Sequence, residues 1–241
     1  MKASPSDQQA VLELQQLDNQ LASLAQRESS IPEIAALNTV TIKGNNTRDL
    51  RIAAETELTD IKRELARAEG DVEQIVSRIN RDEARLSSGT GTPKELEQTQ
   101  HELVTLGARR AELEEVELGI MVEVEALNNR IAELRGLEAQ YAAEIADLEI
   151  KKENALTIII NERNDVSQKR ATTEAPIAAD LKALYLKVSA DNNGNGAALL
   201  VGNECKGCHL TINTTEVGRI ASLPADEVVR CEQCRCILVR G

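Results

Sequence analysis

"SSGTGTPKE", residues 87–95, is a helix stop followed at once by a helix start. Gly89 and Gly91 end one helix. Thr92 can then cap the next, Pro93 suits a first helical turn that needs no N–H, and Glu95 stands three residues after the cap, as a capping box requires. A connection this short forces the segments on either side to run antiparallel.

Both flanking segments carry a seam. Downstream, alternate steps of three and four residues from Leu96 meet Leu103, Leu106, Leu113, Ile120, Val124, Leu127, Ile131, Leu134, Tyr141, Ile145 and Leu148. Upstream, Leu58, Ile61, Leu65, Ala68, Val72, Ile75, Ile79 and Leu86 keep the same step, and Leu14, Leu17, Leu21 and Leu24 repeat it. A period of 3.5 is the mark of a stripe buried against another helix. The fold expected is mainly α: a long antiparallel coiled-coil hairpin over 1–175, with arms at about 5–86 and 93–175 and a tip at 87–92. Folding about residue 91 puts Leu14 opposite roughly residue 168. "IPEIAALNTVTIKGNN", residues 31–46, contains Pro32, a β-branched run, Gly44 and two asparagines, and predicts a kink or break. A short helix and linker should occupy 176–196, and a separate β-rich module 197–241.

Composition agrees with a rod more than with a globule. The chain is 41% hydrophobic but only 1% aromatic, with no Phe or Trp, so buried area must come from aliphatic stripes. A formal charge of −12 disfavours a body that wraps phosphate backbones or anionic membranes. No run approaches the length of a membrane span and the start lacks an apolar signal core, so a cytoplasmic protein with reduced cysteines is expected.

The chemistry lies in the last module. Cys205, Cys208, Cys231 and Cys234 form C-x2-C, a gap of 22 residues, and C-x2-C. Two such turns aim four thiolates at one ion and close its coordination, which predicts one structural Zn2+. Disulfides and redox cycling are the alternatives, disfavoured by the compartment and by the absence of a βαβ pattern. Cys236, two residues beyond Cys234, should point to the other face of a strand as a free thiol. His209 flanks a knuckle, and His101 reads as a solvated position of the second arm. The many carboxylates sit at helical spacing that solvated faces explain, so no enzyme activity is expected.

"SSGTGTPKELEQTQHELVTLGARRAELEEVELGIM" (87–121), "ADLKALYLKV" (179–188), "CKGCHL" (205–210) and "VVRCEQCRCILVR" (228–240) together resemble a widespread bacterial family. Its members are coiled-coil proteins with a C-terminal four-cysteine zinc ribbon, some described as nucleic-acid binding. The resemblance maps the zinc ligands onto Cys205, Cys208, Cys231 and Cys234, and implies adaptor-like or nucleic-acid-linked roles without enzyme activity. The chain departs from the pattern where the second knuckle usually continues Gly-Arg and here carries Arg235 and Cys236.

Two function classes follow. One is an interaction scaffold that holds protein partners, either as a monomeric hairpin or as a dimer. The other is nucleic-acid binding by the ribbon, for which Arg230, Arg235 and Arg240 are the candidate contacts. Residues 199–241 balance five basic against five acidic side chains and have no aromatic residue for stacking, which favours the scaffold. A thiol sensor at Cys236 is a third, weaker reading.

Overall fold

The structure, a computed structural model, describes residues 1–241. Its elements are α1 (Pro5–Ser29), α2 (Pro32–Ser88), α3 (Pro93–Glu174), α4 (Ala179–Asp191), β1 (Ala197–Val201), β2 (Glu204–Cys205), α5 (Thr214–Ser222), β3 (Val229–Arg230) and β4 (Ile237–Arg240). They divide into two compact units, Ala35–Glu149 and Met1–Ile34 with Ile150–Gly241.

The first of these is an antiparallel pair made by α2 and α3. On α2 the buried residues are Val40, Thr47, Ala54 and Ala68, all on one heptad column. On α3, Thr99, Leu106 and Leu127 are buried on another. Hydrophobic spacing thus becomes a packed seam. Cross-pairs flank it: Arg51 donates to Glu138 at 2.9 Å, Arg135 to Glu55 at 2.7 Å, and Arg78 pairs with Glu102. At the tip, Gly89 takes φ +61°, the left-handed geometry that ends a helix. The Thr92 N–H donates to Glu95 Oε2 at 2.8 Å and the Glu95 N–H to Thr92 Oγ1 at 3.4 Å, completing the capping box.

The break expected within residues 31–46 is placed differently. The helix ends at Ser29 and restarts at Pro32, then runs unbroken through Thr39–Ile42 and Gly44. Pro32 occupies a first helical position, where its missing N–H costs nothing. Thr39 bonds back to the Ala35 carbonyl, and a Cβ on Gly44 would sit 3.6 Å from the Cβ of Tyr141. An added Cβ would make only ordinary contact there, so Gly44 is carried within the helix because packing along α3 outweighs its weak helix propensity.

In the second unit the N-terminus is part of the ribbon. α1 runs beside the end of α3, where Asp18 meets Arg170 and Arg27 meets Glu162, while Leu14 packs with Leu181, Tyr185, Ala197 and Ile237 and so also faces α4 and the sheet. Four strands form a sheet in the order β2-β1-β4-β3, with β1 and β4 parallel and the other pairs antiparallel. Lys2 bridges to Glu227, the Ala3 N–H donates to the Asp226 carbonyl at 2.8 Å, and the Val228 N–H donates to the Met1 carbonyl at 3.0 Å. A module of some 45 residues is too small to bury its own core, and the expected separate ribbon instead shares one with α1 and α4.

Buried polar groups hold this junction in place. Gln15, 4% exposed, accepts from the Gly196 N–H at 2.6 Å and the Ala197 N–H at 3.1 Å, and donates to the Gly194 carbonyl at 2.8 Å. Gln8 donates to the carbonyls of Ala3 and Ala225 at 2.9 and 3.0 Å. The Tyr185 hydroxyl donates to Asp18 Oδ2 at 2.6 Å, and Arg170 donates to Asp18 Oδ1 at 2.5 Å. Burial, then the adjacent carboxylate, raises the Tyr185 hydroxyl above its ordinary pKa, so it remains a donor. Leu24, Ile31 and Ile159 close a further cluster beside the break between α1 and α2.

Candidate metal centre

Two turns of the same construction carry the cysteines. In the first, the His209 N–H donates to the Cys205 carbonyl at 2.8 Å and the Cys205 N–H donates to the Leu210 carbonyl at 3.2 Å. In the second, the Arg235 N–H donates to the Cys231 carbonyl and the Cys231 N–H donates to the Cys236 carbonyl, both at 2.9 Å. His209 and Arg235 hold equivalent places and both have left-handed backbones, φ +57° and +64°. Gly207 fits the first turn because a Cβ there would stand 2.9 Å from the Cβ of Ala198 and 3.3 Å from Cys236 Sγ.

The turns bring four sulfurs together. The Sγ atoms of Cys205, Cys208, Cys231 and Cys234 all lie within 4.8 Å of one another. Cys205 and Cys234 are 3.8 Å apart, and Cys208 and Cys231 are 3.9 Å apart. Four thiolates around zinc at about 2.3 Å define a tetrahedron with edges of about 3.8 Å. The donor set fits one structural zinc ion, with every vertex taken by sulfur and none left for an activated water. Without an ion, burial pushes the Cys208 thiol up to about 12 and raises Cys231 as well. Metal binding therefore has to displace protons.

These observations are matched among known proteins. Residues 14–193 match the family described as the CT398-like coiled coil hairpin domain, and residues 205–238 match the C4-type zinc ribbon domain. The chain belongs to the CT398-like coiled-coil hairpin family. An uncharacterized protein of Mycobacterium tuberculosis, Rv2229c, is 35% identical over 245 residues, which cover 100% of this chain and 98% of that one. A solved Mycobacterium smegmatis structure is 30% identical, with TM-score 0.86 and 100% of both chains covered. CT398 from Chlamydia trachomatis, at 17% identity and 98% coverage of both chains, shares the fold with TM-score 0.67.

Within this CT398-like chain the other candidate residues separate. Cys236 does not point away from the centre as the strand alternation predicted. It is fully buried, with its Sγ 3.6 Å from Cys205 Sγ and 3.0 Å from Cys234 Sγ. The left-handed Arg235 breaks the alternation, since β4 begins only at Ile237. Arg240 leaves the set of candidate contacts: its guanidinium donates to the carbonyls of Ile220, Leu223, Pro224, Ala225 and Glu227 at 2.8–3.2 Å. It fastens the α5–β3 connection. Arg230 donates to the Arg235 carbonyl, and both arginines line a cleft with Lys187, Asp191 and Asn192. The His209 ring meets Glu204 at 3.3 Å, outside the metal set; Lys206, and after it His209, holds that carboxyl below its ordinary range. His101 is exposed on α3. No helix is long and apolar enough to cross a membrane.

Proposed function

We propose that this chain is a non-enzymatic interaction scaffold of the cytoplasm, whose helical hairpin presents surfaces to protein partners while the zinc ribbon serves as a structural head. One observation carries the reading. On α3, Val104, Leu118 and Val122 are 73%, 60% and 60% exposed, although Leu106 and Leu127 of the same helix already bury the seam. Val116 and Met121 of the same stretch are exposed as well. Exposed apolar side chains along residues 104–122 of a helix that already has its partner support a protein-binding surface.

A photo-crosslinker at position 118 of the full-length chain in its native cell tests this. The scaffold reading expects crosslinks to specific proteins that Val104→Lys and Val122→Lys abolish while zinc content and helicity stay at the parental level. Crosslinks indistinguishable from background, or unaffected by both substitutions, count against it.

A second reading, nucleic-acid binding by the ribbon, is favoured by the cleft that gathers Lys187, Arg230 and Arg235 against Asp191 alone. Three cations in one cleft could hold a phosphate backbone, with binding that weakens steeply as salt rises. RNA or DNA shifts that persist in Arg230→Gln/Arg235→Gln remove this reading.

A further inference from the structure

Four thiols make the metal centre, and a fifth, Cys236, lies against two of them, Cys205 and Cys234. A zinc tetrahedron with sulfur at every vertex has edges of about 3.8 Å. Cys236 stands 3.6 Å from Cys205, close to such an edge. Its separation of 3.0 Å from Cys234 is too short for both sulfurs to be ligands together. Only one of Cys234 and Cys236 can therefore bind the ion at a time.

The two knuckles make the same point by contrast. Cys236 holds the place in the second turn that Leu210 holds in the first, as the matching hydrogen bonds from Cys231 and Cys205 show. Leu210 is 51% exposed and its side chain leaves the centre, whereas Cys236 is fully buried. The absence of a side chain at Gly207 leaves room for this sulfur, which a Cβ there would approach to 3.3 Å. Arg235, like His209 in the first turn, is left-handed, so the backbone reverses alike in both knuckles, and only the second places a thiol on the inward side.

We propose that Cys236 is an alternative zinc ligand that exchanges with Cys234 at one vertex of the centre. In either state the ion keeps four thiolates and one thiol stands free beside it. The displaced thiol is not equivalent in the two states: Cys234 is half-buried and Cys236 is sealed. Exchange thus alternately opens and hides a thiol without loss of the metal.

The test compares zinc retention in full-length variants dialysed against a graded chelator. Cys236→Ser and Cys234→Ser should each keep one zinc per chain, with chelator midpoints within about tenfold of the parent, whereas Cys231→Ser and the Cys234→Ser/Cys236→Ser double variant should lose it. Cobalt substitution supplies a second readout. Cys234→Ser should retain the four-thiolate charge-transfer intensity of the parent, and any metal held by the double variant should show about three-quarters of it. Loss of zinc from Cys234→Ser as readily as from Cys231→Ser would overturn the proposal. Should Cys234→Ser fail to fold, alkylation of the zinc-loaded parent decides: label on Cys234 in chains that still hold zinc supports exchange. Label confined to Cys236, or none on Cys234, refutes it.

Discussion

Replacing Gln15 by leucine should loosen the zinc ribbon, although Gln15 lies 190 residues before the first cysteine of the chain. The side chain satisfies the N–H groups of Gly196 and Ala197 and the carbonyl of Gly194, at the turn that leads into β1. Leucine is close in volume, so little packing changes, but two buried N–H groups lose their acceptor. Each buried donor left unsatisfied costs about 1–3 kcal/mol, so the unit formed by residues 1–34 and 150–241 should lose about 2–6 kcal/mol. Urea unfolding followed by zinc release to a chromogenic chelator measures the change. Gln16→Leu, on the exposed side of α1, is the control and should stay within about 0.5 kcal/mol. A loss below about 1 kcal/mol in Gln15→Leu would refute the view that α1 is an integral part of the ribbon.

Glycine substitutions should split by environment. Gly107→Ala, with nothing near its added Cβ, should stabilise α3 by up to about 1 kcal/mol, while Gly196→Ala would drive a methyl to 2.5 Å from the Tyr185 ring and should abolish the native midpoint; thermal scans compare them. Arg235→Gly should stabilise the second knuckle by about 1 kcal/mol by relieving a left-handed arginine, read as a higher chelator concentration for zinc release. Zinc retention should fall from about pH 7 to about pH 5, because the ligand thiols recapture protons that the ion had displaced, Cys208 and Cys231 most readily since burial raises them; equilibrium dialysis checks the sign. The Thr92 N–H holds the Glu95 carboxyl below its ordinary range, so this contribution is present above a pH of about 4.3 and fades as pH falls through the depressed folded value. Glu95→Gln should flatten that acid dependence in the helicity at the tip, whereas Cys236→Ser should leave it unchanged.

The hairpin was legible because its signals are local. A capping box at Thr92–Glu95 and a period of 3.5 through Leu106, Leu113, Ile120 and Leu127 refer only to neighbours along the chain. The cysteine pairs were legible for the same reason, since spacing alone limits what two knuckles can bind. What escaped depends on contacts distant in sequence. Gly44 reads as a helix breaker although α2 runs through it against α3, and nothing in the local sequence around Gln8 and Gln15 signals that both bond the backbone of the ribbon. The orientation of Cys236 was misread because alternation assumes a regular strand, and neither Arg235 nor His209 advertises the left-handed backbone each adopts. Arg240 looked like a surface cation; five carbonyls from one loop converge on it only in three dimensions.

The sharing of one core between Leu14 and Leu181, Tyr185 and Ile237 has a consequence for biosynthesis. Residues near the start emerge from the ribosome long before the strands that cover them exist. At about 5–20 residues per second, Leu14 waits on the order of ten to thirty seconds for Leu181 alone. During that interval the leading amphipathic turn is naked apolar surface, and closure comes only when the final knuckle has been translated and metallated. Scarcity of zinc in the cell would therefore be felt first at the opposite terminus, as prolonged exposure of the opening helix to chaperones and proteases.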